Sequence, residues 1–146
     1  MKFIISITIA LGLLIGAAPQ QEETSTLTIR VDGVRNLNGY LGIALYIDSD
    51  DFPGGEPTYS REVEVEDSTM EIVFEELEPS TYAIAIMHDE NGNGEMDMNE
   101  YGMPTEGFGF SNEAQADMGP PGFDAAAFEV EGDTEQHIEM TYLGGY

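Results

Sequence analysis

Leu77-Glu78-Pro79-Ser80-Thr81-Tyr82-Ala83-Ile84-Ala85-Ile86 is the stretch on which the fold turns. A proline followed by small and polar residues punctuates the chain, and a run with apolar side chains at every second position follows. A period of two places Tyr82, Ile84 and Ile86 on one face of a strand, with only small Ala83 and Ala85 on the other. The same alternation recurs on both sides. Leu27, Ile29 and Val31 alternate with Thr26, Thr28 and Arg30. Leu41, Ile43, Leu45 and Ile47 repeat it after a turn at Asn36–Gly39, and Val63 and Val65 alternate with Glu62, Glu64 and Glu66. Met70, Ile72 and Phe74 follow, then Phe128 and Val130 near the end, and finally Ile138, Met140 and Tyr142.

The pattern predicts an all-β domain of about seven short strands, arranged as an antiparallel sandwich. The Leu77-x-Pro79-Ser80-x-Tyr82 turn resembles the corner of prealbumin-like and other immunoglobulin-like sandwiches. There a tyrosine hydroxyl bonds back to the backbone a few residues upstream, which makes Tyr82 a structural residue.

Composition narrows the function. The 146 residues carry 29 acids against 4 bases, a formal net charge of −25. Nucleic-acid binding needs a basic surface and is excluded, and docking on anionic lipid is disfavoured for the same reason. Cysteine is absent, so there are no disulfides, no thiol nucleophile and no acylated cysteine anchor. At the N-terminus, Met1-Lys2 precedes an apolar run from Phe3 to Ile15 and the small residues Gly16, Ala17 and Ala18. That layout predicts a secretory signal peptide over residues 1–20, cut between Ala17 and Gln21. The apolar run is shorter than the roughly 20 residues of a membrane helix, so no stable membrane insertion is expected. Residues 21–146 then form one exported domain, periplasmic or secreted.

One region breaks the strand rhythm. Residues 87–125 are rich in Gly, Pro, Asn and aromatics, with Tyr101, Phe108, Phe110 and Phe123 among them. A loop this long in a small domain is functional or disordered, and its aromatics argue that it is ordered. It begins Asp89-Glu90-Asn91-Gly92-Asn93-Gly94-Glu95-Met96-Asp97-Met98-Asn99-Glu100, which fits the calcium-loop pattern D-x-[DN]-x-[DN]-G-x₅-E at every defined position. Calcium takes oxygen ligands, and a chain supplies them by curling around the ion. Asp89, Asn91 and Asn93 offer alternate side-chain oxygens. Gly94 permits the turn that aims the Glu95 carbonyl inward, Asp97 adds an oxygen directly or through water, and Glu100 closes the shell. No helix is readable on either side, so the loop would follow a strand rather than sit in a helix–loop–helix hand. An Asn-Gly-rich turn with solvated acids is the plainer reading of the same residues.

Catalysis finds little footing. No catalytic residue is assigned: there is no Ser/His/Asp order, and no lysine follows Lys2. His88 lies at a strand end beside Asp89, while His137 belongs to another strand, so a histidine metal site is not expected. The acidic segment Asp48-Ser49-Asp50-Asp51-Phe52-Pro53 either faces the same end of the sandwich or is simply a turn.

Three segments in order, His88 to Gly94, Pro104 to Asn112 and Gly119 to Phe128, resemble the signatures of the bacterial proteins grouped as domain of unknown function 2141. The opening strands and Asp51-Phe52-Pro53 look like that family too. The resemblance implies export and a sandwich fold but no activity. The reading is therefore an exported binding module with a calcium loop and an aromatic, Gly/Pro-rich surface from Tyr101 to Phe123 for an unknown protein, glycan or small ligand. The alternatives are a metal-free structural or interaction protein of the envelope and, third, a hydrolytic enzyme using carboxylates.

Overall fold

The computed structural model describes residues 23–143; the expected signal peptide lies outside them. Eight strands follow in order: β1 (Ser25–Asp32), β2 (Tyr40–Tyr46), β3 (Tyr59–Glu64), β4 (Met70–Leu77), β5 (Ser80–Asp89), β6 (Gly107–Phe110), β7 (Phe128–Val130) and β8 (Asp133–Glu139). A single 3-10 turn at Ser111–Glu113 and a one-turn helix at Phe123–Ala126 precede β7. One sheet has the order β4-β1-β8 and the other β3-β2-β5-β6, with β7 pairing the start of β5. The sheets are predominantly antiparallel and form an open sandwich, as the alternation predicted.

Alternation explains the core. Leu27, Ile29 and Val31 of β1 face Leu41, Ile43 and Leu45 of β2 and Tyr82, Ile84 and Ile86 of β5 within one buried cluster. Each such side chain contributes about 1.5–3 kcal/mol when taken from water. His88 continues the inward row of β5 and is fully buried. Arg61 of β3 donates to the Val73 carbonyl at 2.6 Å and lies over the Phe74 ring at 4.8 Å, covering the gap between β3 and β4.

The tyrosine corner is present: the Tyr82 hydroxyl donates to the Glu78 carbonyl at 2.8 Å. Burial pushes that hydroxyl's pKa up to about 12. Tyr82→Phe should lower stability by about 1–2 kcal/mol, because it removes a part-buried hydrogen bond that ties the corner together. An unchanged urea midpoint would show that the bond adds nothing.

Three features depart from the sequence reading. The pairing of β1 with β8 is parallel, from Thr26↔Asp133 to Asp32↔Glu139. The final strand ends at Glu139; beyond it Thr141 forms an isolated bridge to Phe108. The long connection also contains a strand, β6, whose four residues are all buried. Its Gly-Phe-Gly-Phe sequence has a steric cause. A Cβ at Gly107 would overlap the Tyr142 ring, and one at Gly109 would press on Ile138. The chain leaving β8 runs too close for side chains there.

Candidate calcium loop

The loop grows from the end of β5, where Asp89 pairs with Tyr40 of β2. Asp89 is 2% exposed. Its Oδ1 accepts the N–H groups of Gly92 at 2.8 Å and Asn93 at 3.2 Å, and its Oδ2 accepts that of Gly94 at 2.7 Å. One carboxylate thus folds the next five residues around itself. Gly94 can follow because its φ of +78° suits glycine above all other residues.

The next two ligand candidates repeat the device. Asn91 Oδ1 accepts the Asn93 N–H at 3.0 Å, and Asn93 Oδ1 accepts the Glu95 N–H at 2.9 Å. An amide oxygen has two lone pairs, so each keeps one for another partner. The amide nitrogens of the same two side chains donate to Asp97, Asn91 to Oδ2 and Asn93 to Oδ1. Asp89, Asn91, Asn93 and Asp97 are thereby linked in one hydrogen-bonded cluster. Two NH2 groups supply the positive dipoles that the Asp97 carboxylate requires, the part a bound cation would otherwise take.

Glu95 and Glu100 stand apart from that cluster. Glu95 joins it through its backbone N–H alone, with an exposed side chain. Glu100 is exposed in a tight turn built on Asn99, whose Oδ1 accepts the N–H groups of Tyr101 at 2.9 Å and Met103 at 3.0 Å. Among the described residues, no group of three or more His, Asp or Glu side chains gathers as a metal site. The oxygen set brought together here is two carboxylates and two amides, which suits calcium better than a softer ion.

What anchors the loop was not visible in the spacing. Glu106, 4% exposed, accepts the Glu90 N–H at Oε1 (2.9 Å) and the Asp97 N–H at Oε2 (3.2 Å), so one buried carboxylate clamps both arms. Thr105 adds its N–H and hydroxyl to the Asp97 carbonyl. Arg35 donates to the Thr105 carbonyl at 3.1 Å and lies over the Tyr142 ring at 4.6 Å. Its guanidinium also forms an ion pair with Glu90 Oε1 at 2.6 Å. Asn36 Nδ2 donates to the other Glu90 oxygen at 2.8 Å.

His88 is spoken for on both nitrogens. The Asn38 carbonyl, 2.8 Å from Nε2, can only accept, so Nε2 carries the proton; Nδ1 then accepts from the Tyr142 hydroxyl at 2.8 Å. That hydroxyl in turn accepts the Arg35 N–H. A histidine so occupied is a structural one. Burial raises the pKa of the Tyr142 hydroxyl.

The aromatic segment behaves differently from its outline in the sequence. Phe108 and Phe110 are buried, and Phe123 packs edge-on against Phe52 at 6.0 Å, as does Phe110. These rings prefer one another and the core to solvent. The apolar groups that remain exposed are Met98, Tyr101 and Met103 on the hairpin tip, and Met118. The Asp48–Pro53 segment lies at the far end of β2. Tyr40 pairs with Asp89 and Tyr46 with Ala83, six residues further along, or about 20 Å in a strand.

Fold and site together define an open β-sandwich that carries a self-capped acidic loop on its central strand. A family model described as an uncharacterized protein conserved in bacteria, domain of unknown function 2141, matches residues 29–139, and the chain belongs to that family. No curated protein and no solved structure matches it.

Proposed function

We propose that this chain is an exported β-sandwich binding module whose loop from Asp89 to Asp97 is organised by calcium, presenting the Met98–Met103 tip to a protein, glycan or small-molecule partner. The observation that carries the reading is the linkage of Asp89, Asn91, Asn93 and Asp97 in one cluster at the end of a rigid strand. The acidic balance of the chain raises the local cation concentration in support. No helix among the described residues is long and apolar enough to cross a membrane. Export rests on the N-terminal segment.

Calcium melting curves test the metal. Binding to the folded form adds RT ln(1 + [L]/Kd), about 2.7 kcal/mol at a hundredfold excess over Kd, or roughly 10 °C for a domain of this size. A Kd of about 10⁻⁴–10⁻³ M suffices for a module exposed to extracellular calcium. Equal magnesium controls for simple screening of the −25 charge. Calcium should exceed magnesium clearly in the wild type, and Asp89→Ala should abolish the difference even though its baseline falls.

The second reading, a metal-free structural module, draws on one observation: Asp89 already receives three backbone N–H groups and needs no ion to be satisfied. Equal responses to calcium and magnesium in wild type and variant would establish that reading. Nothing in the site places a nucleophile or a paired acid and base, so a hydrolytic role ranks third.

A further inference from the structure

Three of the six asparagines precede glycine: Asn38-Gly39, Asn91-Gly92 and Asn93-Gly94. Such a pair can close on itself, because no side chain shields the glycine nitrogen. That nitrogen gives its proton to solvent base and attacks the asparagine Cγ. The N–Cγ bond forms, the Cγ–Nδ2 bond breaks, and ammonia leaves. Water then opens the succinimide at either carbonyl, giving aspartate or isoaspartate. All three side chains are exposed, so access to water does not separate them.

Hydrogen bonding does. In the loop, one carboxylate holds both attacking nitrogens: Asp89 accepts the Gly92 N–H at 2.8 Å and the Gly94 N–H at 2.7 Å. Loss of either proton forfeits a bond to an anion and sets a negative nitrogen against a negative carboxylate. The side-chain amides are fixed as well. Asn91 Oδ1 accepts the Asn93 N–H and Asn93 Oδ1 the Glu95 N–H. Both NH2 groups, which would have to leave as ammonia, donate to Asp97. Asn38 is the opposite case. Among the described residues, nothing bonds its side chain or the Gly39 N–H. The carbonyl of that same peptide group accepts the Nε2–H of His88 at 2.8 Å. Resonance spreads the charge of a deprotonated peptide nitrogen onto its carbonyl oxygen. The His88 bond therefore favours the attacking form, and the carbonyl it holds survives in the imide.

We propose that Asn38 is a modification site of the folded chain, deamidating spontaneously through a succinimide with Gly39, and that Asp89 shields Asn91 and Asn93 from the same reaction. The loop thereby keeps the two amides that satisfy Asp97, while each event at Asn38 adds a carboxylate to the turn between β1 and β2. The reaction needs no metal, so the proposal stands whether or not the loop binds calcium.

The test is ageing of the purified chain in mildly alkaline buffer with chelator, both folded and in guanidinium chloride. Cleavage after glutamate isolates residues 24–56 and 91–95. Fragment masses then assign the asparagine, and isoaspartyl methyltransferase labelling identifies the isomer. The unfolded chain should react at all three sites at comparable rates. In the folded chain Asn91 and Asn93 should slow by about tenfold or more, the worth of a charge-assisted hydrogen bond to the attacking nitrogen. Asn38 should react at least as fast as when unfolded. Asn38→Gln, whose longer side chain closes the ring far more slowly, should remove most of the ammonia release from the folded chain. Asp89→Asn should speed Asn91 and Asn93 and leave Asn38 unchanged; if that variant loses its β-sheet spectrum, the wild-type comparison decides alone. Equal protection of all three sites on folding would overturn the proposal. So would folded rates at Asn91 and Asn93 that match the unfolded ones, or a folded Asp89→Asn chain in which both stay slow.

Discussion

Gly39→Ala is expected to destabilise the chain by about 3 kcal/mol or more, summing a left-handed alanine and an overlap that no rotamer relieves. Gly39 has φ +66°, and a Cβ there would collide with the carbonyl oxygen of Asp89 and crowd the carbonyl carbons of Asp89 and Glu90. All three are backbone atoms at the point where β2 meets the end of β5. Its own carbonyl also accepts the Val65 N–H at 3.2 Å. Relief therefore requires opening the Tyr40↔Asp89 pair, from which the candidate calcium loop departs. Gly42→Ala is the matched control. It lies in the middle of β2, with its nearest neighbour, Met87 Cε, at an ordinary 3.9 Å, so the change should stay within about 0.5 kcal/mol. Urea midpoints of the two variants provide the comparison. A loss under about 1 kcal/mol for Gly39→Ala would mean that the two strands approach less closely than described.

Strands with one buried face were legible because their side chains alternate in chemistry as well as direction. β1, β2 and β5 show this in Leu27-Ile29-Val31, Leu41-Ile43-Leu45 and Tyr82-Ile84-Ile86. β6 was not legible, since glycine holds every second position and has no side chain to carry a pattern. β8 was read too late. Its Asp133–Glu139 sequence has one fully buried residue, Ile138, and its parallel partnership with β1 follows from the tertiary path rather than from local periodicity. The site divides along the same line. Asp89, Asn91, Asn93 and Asp97 were readable because they belong to one contiguous loop whose spacing reflects its geometry. Glu106, Arg35, Asn36 and Tyr142 reach that loop from distant parts of the chain. Only the folded arrangement reveals them, and in a chain with 29 acids no single glutamate is conspicuous.

Removing the Glu106 carboxylate should have the next largest effect. Glu106→Ala leaves the N–H groups of Glu90 and Asp97 without their acceptor and opens a cavity beneath the loop, a loss of about 2–4 kcal/mol. Glu106→Gln keeps the shape but has one accepting oxygen, so one N–H meets an NH2 instead, a loss of about 1–2 kcal/mol. The clamped residues are the second and ninth positions of the candidate calcium loop. With Glu106 in place, an ion entering the loop would find both arms already held; without it, binding would also have to order several residues, at about 1 kcal/mol each. The difference between calcium and magnesium melting temperatures should therefore fall in the order wild type, Glu106→Gln, Glu106→Ala. A lower baseline with an undiminished calcium difference would confine Glu106 to stability alone. An unchanged baseline in both variants would mean that the arms are held by Thr105 and Arg35 rather than by this carboxylate.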